Sequence, residues 1–469
     1  MPVQHTPVYV TEAECLEQEN AARQVRDLPE RPRTYHIVTY GCQMNAHDSE
    51  KLAGILSGMG MAEAADRREA DLVIFNTCCV RDNAERRALG NVTWLKELKK
   101  DKPGLIIGVC GCMVQQPGMA ERILRQYRFI DLAFGTHNLH RLPSLLLALL
   151  TQKTRVVSVT DEENLIAEDL PVKRLNAWHA YITIMYGCDN FCSYCIVPYV
   201  RGRERSRDPE RIIDEVRELV ADGFREITLL GQNVNSYGKD LGTGYDFADL
   251  LTDLDKIDGD YLLRFMSSQP KDATYKLFDV MAASRHVAKQ LHLPVQSGCD
   301  RVLRAMNRPY DVAKYLDLIT YARRVMPELV LTSDVIIGFP GETESEAMET
   351  VALVEKVRFD ALFTFIFSPR PGTPAAKMED PVPREEKQRW FDRLCAVQNG
   401  ISEELHRQYV GQTLRCLVDG ESDDARWPLT ARTAGGRLVH CTGDRADLGE
   451  YRDVKITDSN TWALFGTIE

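Results

Sequence analysis

Three cysteines stand close together in Gly187-Cys188-Asp189-Asn190-Phe191-Cys192-Ser193-Tyr194-Cys195, spaced C-x3-C-x2-C. Thiolates this near in one loop can converge on a metal, and their soft sulfur favours zinc or iron–sulfur. The number of ligands separates those two. A structural zinc site or a closed 4Fe-4S cluster takes four protein ligands. Three local ligands leave one iron open, as catalytic metal sites keep a position for substrate. Such an iron suits a small chelator carrying an amine and a carboxylate, as S-adenosylmethionine (SAM) does. Tyr194, just before the third cysteine, is placed to contact its adenine.

A second set is dispersed: Cys42 in TYGCQMN, Cys78 in FNTCCV and Cys112 in VCGCMVQ. Each follows a strand-like run. The carboxyl ends of strands in an open parallel sheet line one crevice, so residues about 35 apart can meet there and hold another cluster with an unligated iron. Cys79 and Cys110 adjoin this set, and spacing alone does not choose between neighbours. Of the 13 cysteines, Cys15, Cys299, Cys395, Cys416 and Cys441 are scattered and read as structural or incidental.

The elements that must position these thiols are α/β. Residues 35–39, 72–76 and 105–109 read as strands, with helical patterns at 48–58 and 82–100 between them, which implies an open parallel sheet covered by helices. Strand candidates recur at 182–186, 226–230, 262–266, 290–294, 331–337 and 363–367, separated by helical patterns such as 209–221 and 342–357. Six such units predict a partial (β/α) barrel, since eight close one. A long helix follows over 385–409. Short β-rich pieces at 413–418, 438–441, 451–456 and 463–468 then predict a small all-β barrel. Residues 1–32 read as a weakly structured extension, 142–150 as an apolar helix and 152–170 as an exposed linker.

With 469 residues, two to three domains are expected. Thirteen cysteines without a visible secretory leader point to metal or redox chemistry in a reducing, cytoplasmic compartment. No apolar run reaches the length of a membrane span. A net charge of −11 and a pI near 5.5 argue against non-specific coating of nucleic acid. Basic charge is local. Arg201, Arg203, Arg205 and Arg207 alternate, and an extended chain would set them on one side to clamp phosphate. Arg86, Arg87, Lys96, Lys99, Lys100 and Lys102, diluted by acids, read as ordinary surface. Gly338 and Gly341, after the fifth strand of the second series, permit close backbone approach to a ligand. His292 and Gln296 face ligand or are satisfied core polar groups.

Both cysteine sets, with their flanks, resemble the radical-SAM methylthiotransferase family, most closely its MiaB-type tRNA members. The stretches that carry the likeness are TYGCQMNAHDSE, NTCCVRDNAE, GCMVQ, FGTHNLHRLP, YGCDNFCSYCIVPYVRGRERSR, LLGQNVNSYG, LHLPVQSGCDRVLRAMNRPY and DVIIGFPGETE. The resemblance implies Cys42, Cys78 and Cys112 on an auxiliary 4Fe-4S cluster and Cys188, Cys192 and Cys195 on the SAM-binding one. It places Gln232 near the SAM amino group. It implies a cluster domain over 33–150, a linker over 151–173, a radical-SAM core over 174–405 and a TRAM-like tRNA-binding domain over 406–469. The implied reaction adds a methylthio group at adenine C2 of N6-isopentenyladenosine beside the tRNA anticodon. It uses two SAM, sulfur carried on the auxiliary cluster, and a flavodoxin- or ferredoxin-like electron donor. The protein is expected to act as a monomer. Methylthiolation of an aspartate in a small-subunit ribosomal protein, a sister activity on threonylcarbamoyl adenosine and a non-catalytic electron carrier are the alternatives. Cys79 and Cys299 replace the family's usual Ser, and Gln269 its usual His.

Overall fold

The structure is a computed structural model, and it describes residues 8–79, 82–160 and 165–469, with the side chains of 82–86 left aside. The chain divides into two compact units. The first holds the residues up to 175 together with 185–191 and 195–207; the second holds 176–184, 192–194 and 208–469.

The first unit is built on a six-stranded parallel sheet. Its strands are β1 (Thr34–Thr39), β2 (Ala62–Glu63), β3 (Leu72–Thr77), β4 (Ile106–Gly111), β5 (Leu132–Phe134) and β6 (Val156–Ser158), in the order β2-β1-β3-β4-β5-β6. All six residues of β3 are buried, as befits a central parallel strand covered on both faces. Val73, Phe75, Ile107 and Val109 face one core, shared with Val92 and Leu95 of the helix Asp82–Asp101. Ile74, Cys110, Leu132 and Phe134 face the other, shared with Leu52 and Leu56 of the helix Gln43–Gly58 and Leu142 and Leu146 of the helix Leu142–Gln152.

Two expectations are corrected here. Residues 12–27 form a helix rather than a loose extension. Thr11 caps it, Val25 is buried in the second core, and Glu14 pairs with His140 and Arg141. Its sparse apolar positions hid that face. The stretch taken as a linker supplies strand β6, and Leu165–Ile166 pairs in parallel with Val8–Tyr9. Residues 161–164 lie outside the described residues.

The second unit carries six parallel strands in two runs. His179–Thr183, Glu226–Leu230 and Leu262–Phe265 form one, and Gln290–His292, Val330–Ile337 and Ala361–Ile366 the other. An isolated bridge, Leu263 to Val287, links the runs. This is the expected partial barrel. The helix Arg384–Arg407 leads from it into a closed five-stranded barrel, Thr413–Glu421, Leu429–Thr433, Leu438–Thr442, Tyr451–Ser459 and Leu464–Ile468. The strand Leu429–Thr433 escapes sequence reading because Pro428 and the charged residues before it look like a turn. The core of this barrel includes Cys416 and Cys441, so both are packing thiols.

The small barrel docks on the amino-terminal end of the parallel strands. Arg264 donates to Thr433 O at 2.8 Å and Ala434 O at 2.9 Å. Tyr451 Oη donates to Arg225 O at 3.0 Å, and Arg437 pairs with Asp360. The carboxyl ends of the strands, at the opposite end of the sheet, remain for chemistry.

Candidate iron–sulfur and SAM sites

Cys42 stands at the first position before the helix Gln43–Gly58 after β1, Cys78 follows β3 and Cys112 follows β4. The sheet therefore brings the dispersed set to one edge. Gly41 shows how tightly: with φ at +122°, a Cβ there would lie 2.5 Å from Cys78 Cβ and 3.0 Å from its sulfur, so only glycine fits. Asn45 joins the set. Its Oδ1 lies 3.8 Å from Cys42 Sγ and 3.9 Å from Cys112 Sγ, while its Nδ2 donates to Tyr40 O at 3.0 Å and Thr77 O at 3.1 Å. Asn76 Nδ2 returns a bond to Asn45 O at 2.8 Å. Sequence reading passed over both asparagines, although each stands two or three residues from a cysteine of the set.

The neighbouring thiols part company. Cys110 points into the apolar core with Leu132 and Phe134, and burial pushes its thiol far up. Cys79 packs beside Cys112 with Ile196 and Val200. A hydrogen bond from Cys79, opposed by burial and reinforced by the Arg201 charge, pulls the Cys112 thiol down to about 6. Cys42 is open to solvent, yet the protein atoms crowded around it push its thiol up. A donor set of three soft thiols fits an iron centre. Among the described residues, no three His, Cys, Asp or Glu side chains converge as they would on a single ion.

The arginine expectation is corrected. Residues 197–201 are helical, and only Arg205–Ser206 is strand, paired with Met185–Tyr186, so the alternation is broken. Arg201, Arg205 and Arg207 are buried. Arg201 turns inward to Cys112, Asn45 and Asp48. Arg205 donates to Arg203 O at 3.0 Å and stands over the Tyr186 ring. Arg207 grips Glu168, with Nε at 2.8 and 2.9 Å from its two oxygens. Arg203 lies against Asp189 and over the Phe191 ring. These side chains already hold acids and carbonyls rather than offering a phosphate clamp. The second basic region is likewise paired: Lys99 meets Asp131, and Lys102 meets Asp71 at 2.9 Å. The Arg86 side chain lies outside the described residues.

In the C-x3-C-x2-C loop, Cys188 and Cys195 belong to the first unit and Cys192 to the second. Cys188 N donates to Gly202 O at 3.1 Å, and Asn190 Nδ2 lies 3.3 Å from Cys188 Sγ. Cys192 Sγ has Arg308 Nη1 at 3.5 Å and Gln269 Nε2 at 3.9 Å. Arg308 is buried and also donates to Pro294 O at 2.6 Å and Tyr310 Oη at 2.8 Å. Arg308 was missed in the sequence, where a lone arginine in MNRPY reads as surface. Tyr194 packs against the apolar cluster of Cys299, Val302, Met306 and Phe339.

The strand ends of the second unit test the fit to SAM. Among the described residues, Ser268 Oγ, Gln269 Oε1, Gln296 Oε1 and both side-chain atoms of Asn235 are buried without a hydrogen-bond partner. They follow three of the parallel strands, at the carboxyl end of the sheet. Buried polar groups are normally satisfied, so a cluster of orphans at one end of a sheet fits a polar ligand. Gln232, half-buried, lies in the same loop as Asn235. Ser267 and Gln296 hold positive φ of 68° and 69°, conformations that gather at ligand sites. His292 is satisfied by Thr332 Oγ1 at 2.9 Å and faces the Phe363 ring edge-on. Gly338 departs from expectation. Its N donates to Glu342 Oε2 at 2.5 Å, its O accepts from Lys387 Nζ at 2.8 Å, and a Cβ would strike the Lys387 stem. The glycine is thus required for loop packing against Lys387.

Three family models match in series. These are "Uncharacterized protein family UPF0004" over residues 34–135, the radical SAM superfamily over 182–354 and the TRAM domain over 407–468. The fold and its cysteine loop thus define a radical-SAM protein with an N-terminal cluster-type domain and a C-terminal TRAM barrel. A tRNA-2-methylthio-N(6)-dimethylallyladenosine synthase of Acetivibrio thermocellus is 47% identical over 468 residues, covering 98% of each chain. One of the same name from Clostridium botulinum (strain Loch Maree / Type A3) is 49% identical over 432 residues, covering 92% of this chain and 96% of its own. The radical SAM methyltransferase TsrM of Kitasatospora setae shares the fold. Its TM-score is 0.53 at 15% identity, and the match covers 84% of this chain and 79% of that one. The chain belongs to the tRNA-2-methylthio-N(6)-dimethylallyladenosine synthase family of radical-SAM methylthiotransferases.

Proposed function

We propose that this chain converts N6-isopentenyladenosine (the dimethylallyl form) beside the tRNA anticodon to its 2-methylthio derivative. Two three-thiol sets, each one ligand short of a closed cluster, carry this reading. It is supported by relatives so named that match nearly the whole chain. Cys42, Cys78 and Cys112 would hold the auxiliary 4Fe-4S cluster, and Cys188, Cys192 and Cys195 the one that binds SAM. When bound, the clusters and two SAM supply the sulfur, the methyl group and the radical needed at adenine C2–H, a position that side-chain acid–base catalysis cannot activate.

The protein's own residues bind and orient. Arg308 sets its guanidinium against Cys192 and balances the charge of that sulfur. Ser268, Gln269, Gln296 and Asn235 offer unspent donors and acceptors to the polar groups of SAM. Tyr194, backed by apolar side chains, gives its adenine a flat surface, and Gln232 stands by its amino group. Phe363 and Phe365, exposed on the last core strand, offer apolar surface to a dimethylallyl chain. The C-terminal barrel would hold tRNA. A flavodoxin- or ferredoxin-like donor would supply electrons to a cytoplasmic monomer. No helix of the described residues is long and apolar enough to cross a membrane.

The test is mass spectrometry of tRNA nucleosides after anaerobic reaction of the reconstituted protein with SAM, reductant and isopentenylated tRNA. The 2-methylthio nucleoside is expected. A methylthiolated ribosomal-protein aspartate with tRNA unmodified overturns the reading.

A further inference from the structure

Arg201 closes the short helix Val197–Arg201 and sends its guanidinium inward, with 7% of the side chain exposed. Nε donates to Cys112 Sγ at 3.2 Å. Nη2 donates to Asn45 Oδ1 at 3.0 Å and to Asp48 Oδ2 at 2.7 Å. Asn45 Oδ1 is in turn 3.8 Å from Cys42 Sγ. One cation thus touches one cysteine of the set directly and reaches a second through an amide. Its carboxylate partner, 10% exposed, is buried with it.

A buried ion pair is weak evidence of stability, because desolvation offsets most of its attraction. The pair therefore needs another reason to be here, and the sulfur provides one. Hydrogen bonds to cluster sulfurs and net charge nearby are what set cluster potentials, and partners behind a ligand fix its orientation. A guanidinium on a ligand sulfur stabilises the more negative, reduced state. A carboxylate at 2.7 Å from that guanidinium opposes it.

We propose that Arg201 and Asp48 are positioning residues of the auxiliary cluster: Arg201 orients Cys112 and raises the cluster's reduction potential, and Asp48 anchors the guanidinium and limits that rise. This rests on the reading that Cys42, Cys78 and Cys112 hold that cluster. Oppositely signed effects follow from the two members of one ion pair, which a merely structural strut does not produce.

The test uses the full-length reconstituted protein, both as holoenzyme and with Cys188, Cys192 and Cys195 replaced by Ala to leave the auxiliary cluster alone. Arg201→Gln, Arg201→Lys and Asp48→Asn are assayed for iron and sulfide, then titrated redox-potentiometrically with EPR detection. With iron retained, R201Q is expected to lower the midpoint potential and D48N to raise it. R201K, which keeps charge but lacks Nε–H, should fall between R201Q and the parent. Unchanged potentials, or shifts of the same sign in R201Q and D48N, overturn the proposal. If R201Q does not load iron, the D48N and R201K potentials decide alone. Cys112→Ala is the separate control: undiminished iron in that variant overturns the ligand reading itself, whatever the arginine variants do.

Discussion

Replacing Arg308 with Gln should cost little in the iron-free protein and much once the cluster is loaded. The side chain donates at 2.6 Å to Pro294 O, at 2.8 Å to Tyr310 Oη and at 3.5 Å to Cys192 Sγ. A hydrogen bond from a charged donor contributes about 1.5–3 kcal/mol. Gln restores at most one of the first two, so its loss is about 2–3 kcal/mol. Against this, the parent buries a guanidinium at a penalty of several kcal/mol, and the variant is relieved of it. The two nearly cancel without iron. A loaded cluster makes Cys192 a thiolate, and the guanidinium then has its counter-charge. Removing it now leaves that sulfur uncompensated, an added cost of about 2 kcal/mol, or roughly 30-fold. The assay compares urea denaturation of iron-free parent and R308Q with the rate at which a chelator strips iron from the loaded forms. Equal stripping rates, or a loss of more than about 3 kcal/mol without iron, would refute this balance.

Four further outcomes are expected. Cys42→Ala should stop sulfur insertion yet leave SAM cleavage to 5′-deoxyadenosine; methylthiolated tRNA from that variant would reverse the roles given to the two cysteine sets. Arg264→Met strips donors from Thr433 O and Ala434 O, so the C-terminal barrel should be destabilised by about 3 kcal/mol and cleaved faster in limited proteolysis than the parent. Burial raises the Glu342 carboxyl from 4.5 to about 7. Its contribution is full below the unfolded value and lost as pH climbs through about 7, so Glu342→Gln should gain melting temperature relative to the parent between about pH 4.5 and 7; a pH-independent difference would count against it. Trp462, 73% exposed on the C-terminal barrel, offers a stacking face worth about 1–3 kcal/mol per base, and Trp462→Ala should raise KM for tRNA with kcat unchanged.

The parallel-sheet architecture was legible because its main strands are short, β-branched and spaced by helices, and the cysteines were legible because they end those strands. Residue-level contacts were less so. The helix over 12–27 has too few apolar positions to announce itself, since Glu14 holds it to His140 and Arg141 by charge. Strand β6 hides in a charged stretch because it is an edge strand, only half-buried throughout. At Gly338 the positive φ alone does not say what crowds the residue, and the Lys387 stem packed against it is visible only in the fold.

The arginines carry the larger lesson. In a one-dimensional reading, VRGRERSR beside a cysteine loop is an edge of charge awaiting phosphate. Folded, Arg201 donates to a sulfur of one cysteine set at 3.2 Å and Arg308 to a sulfur of the other at 3.5 Å, and both are buried. A guanidinium cannot shed its proton to escape burial; Asp48 answers the charge of Arg201, and oxygens of Pro294 and Tyr310 take up donors of Arg308, while a neutral thiol adds almost no negative charge. A metal-bound thiolate offers a full unit. The same guanidinium–sulfur pairing in two separate constellations is the arrangement that ionised ligands favour, a second ground for the cluster reading beside the spacing of the cysteines.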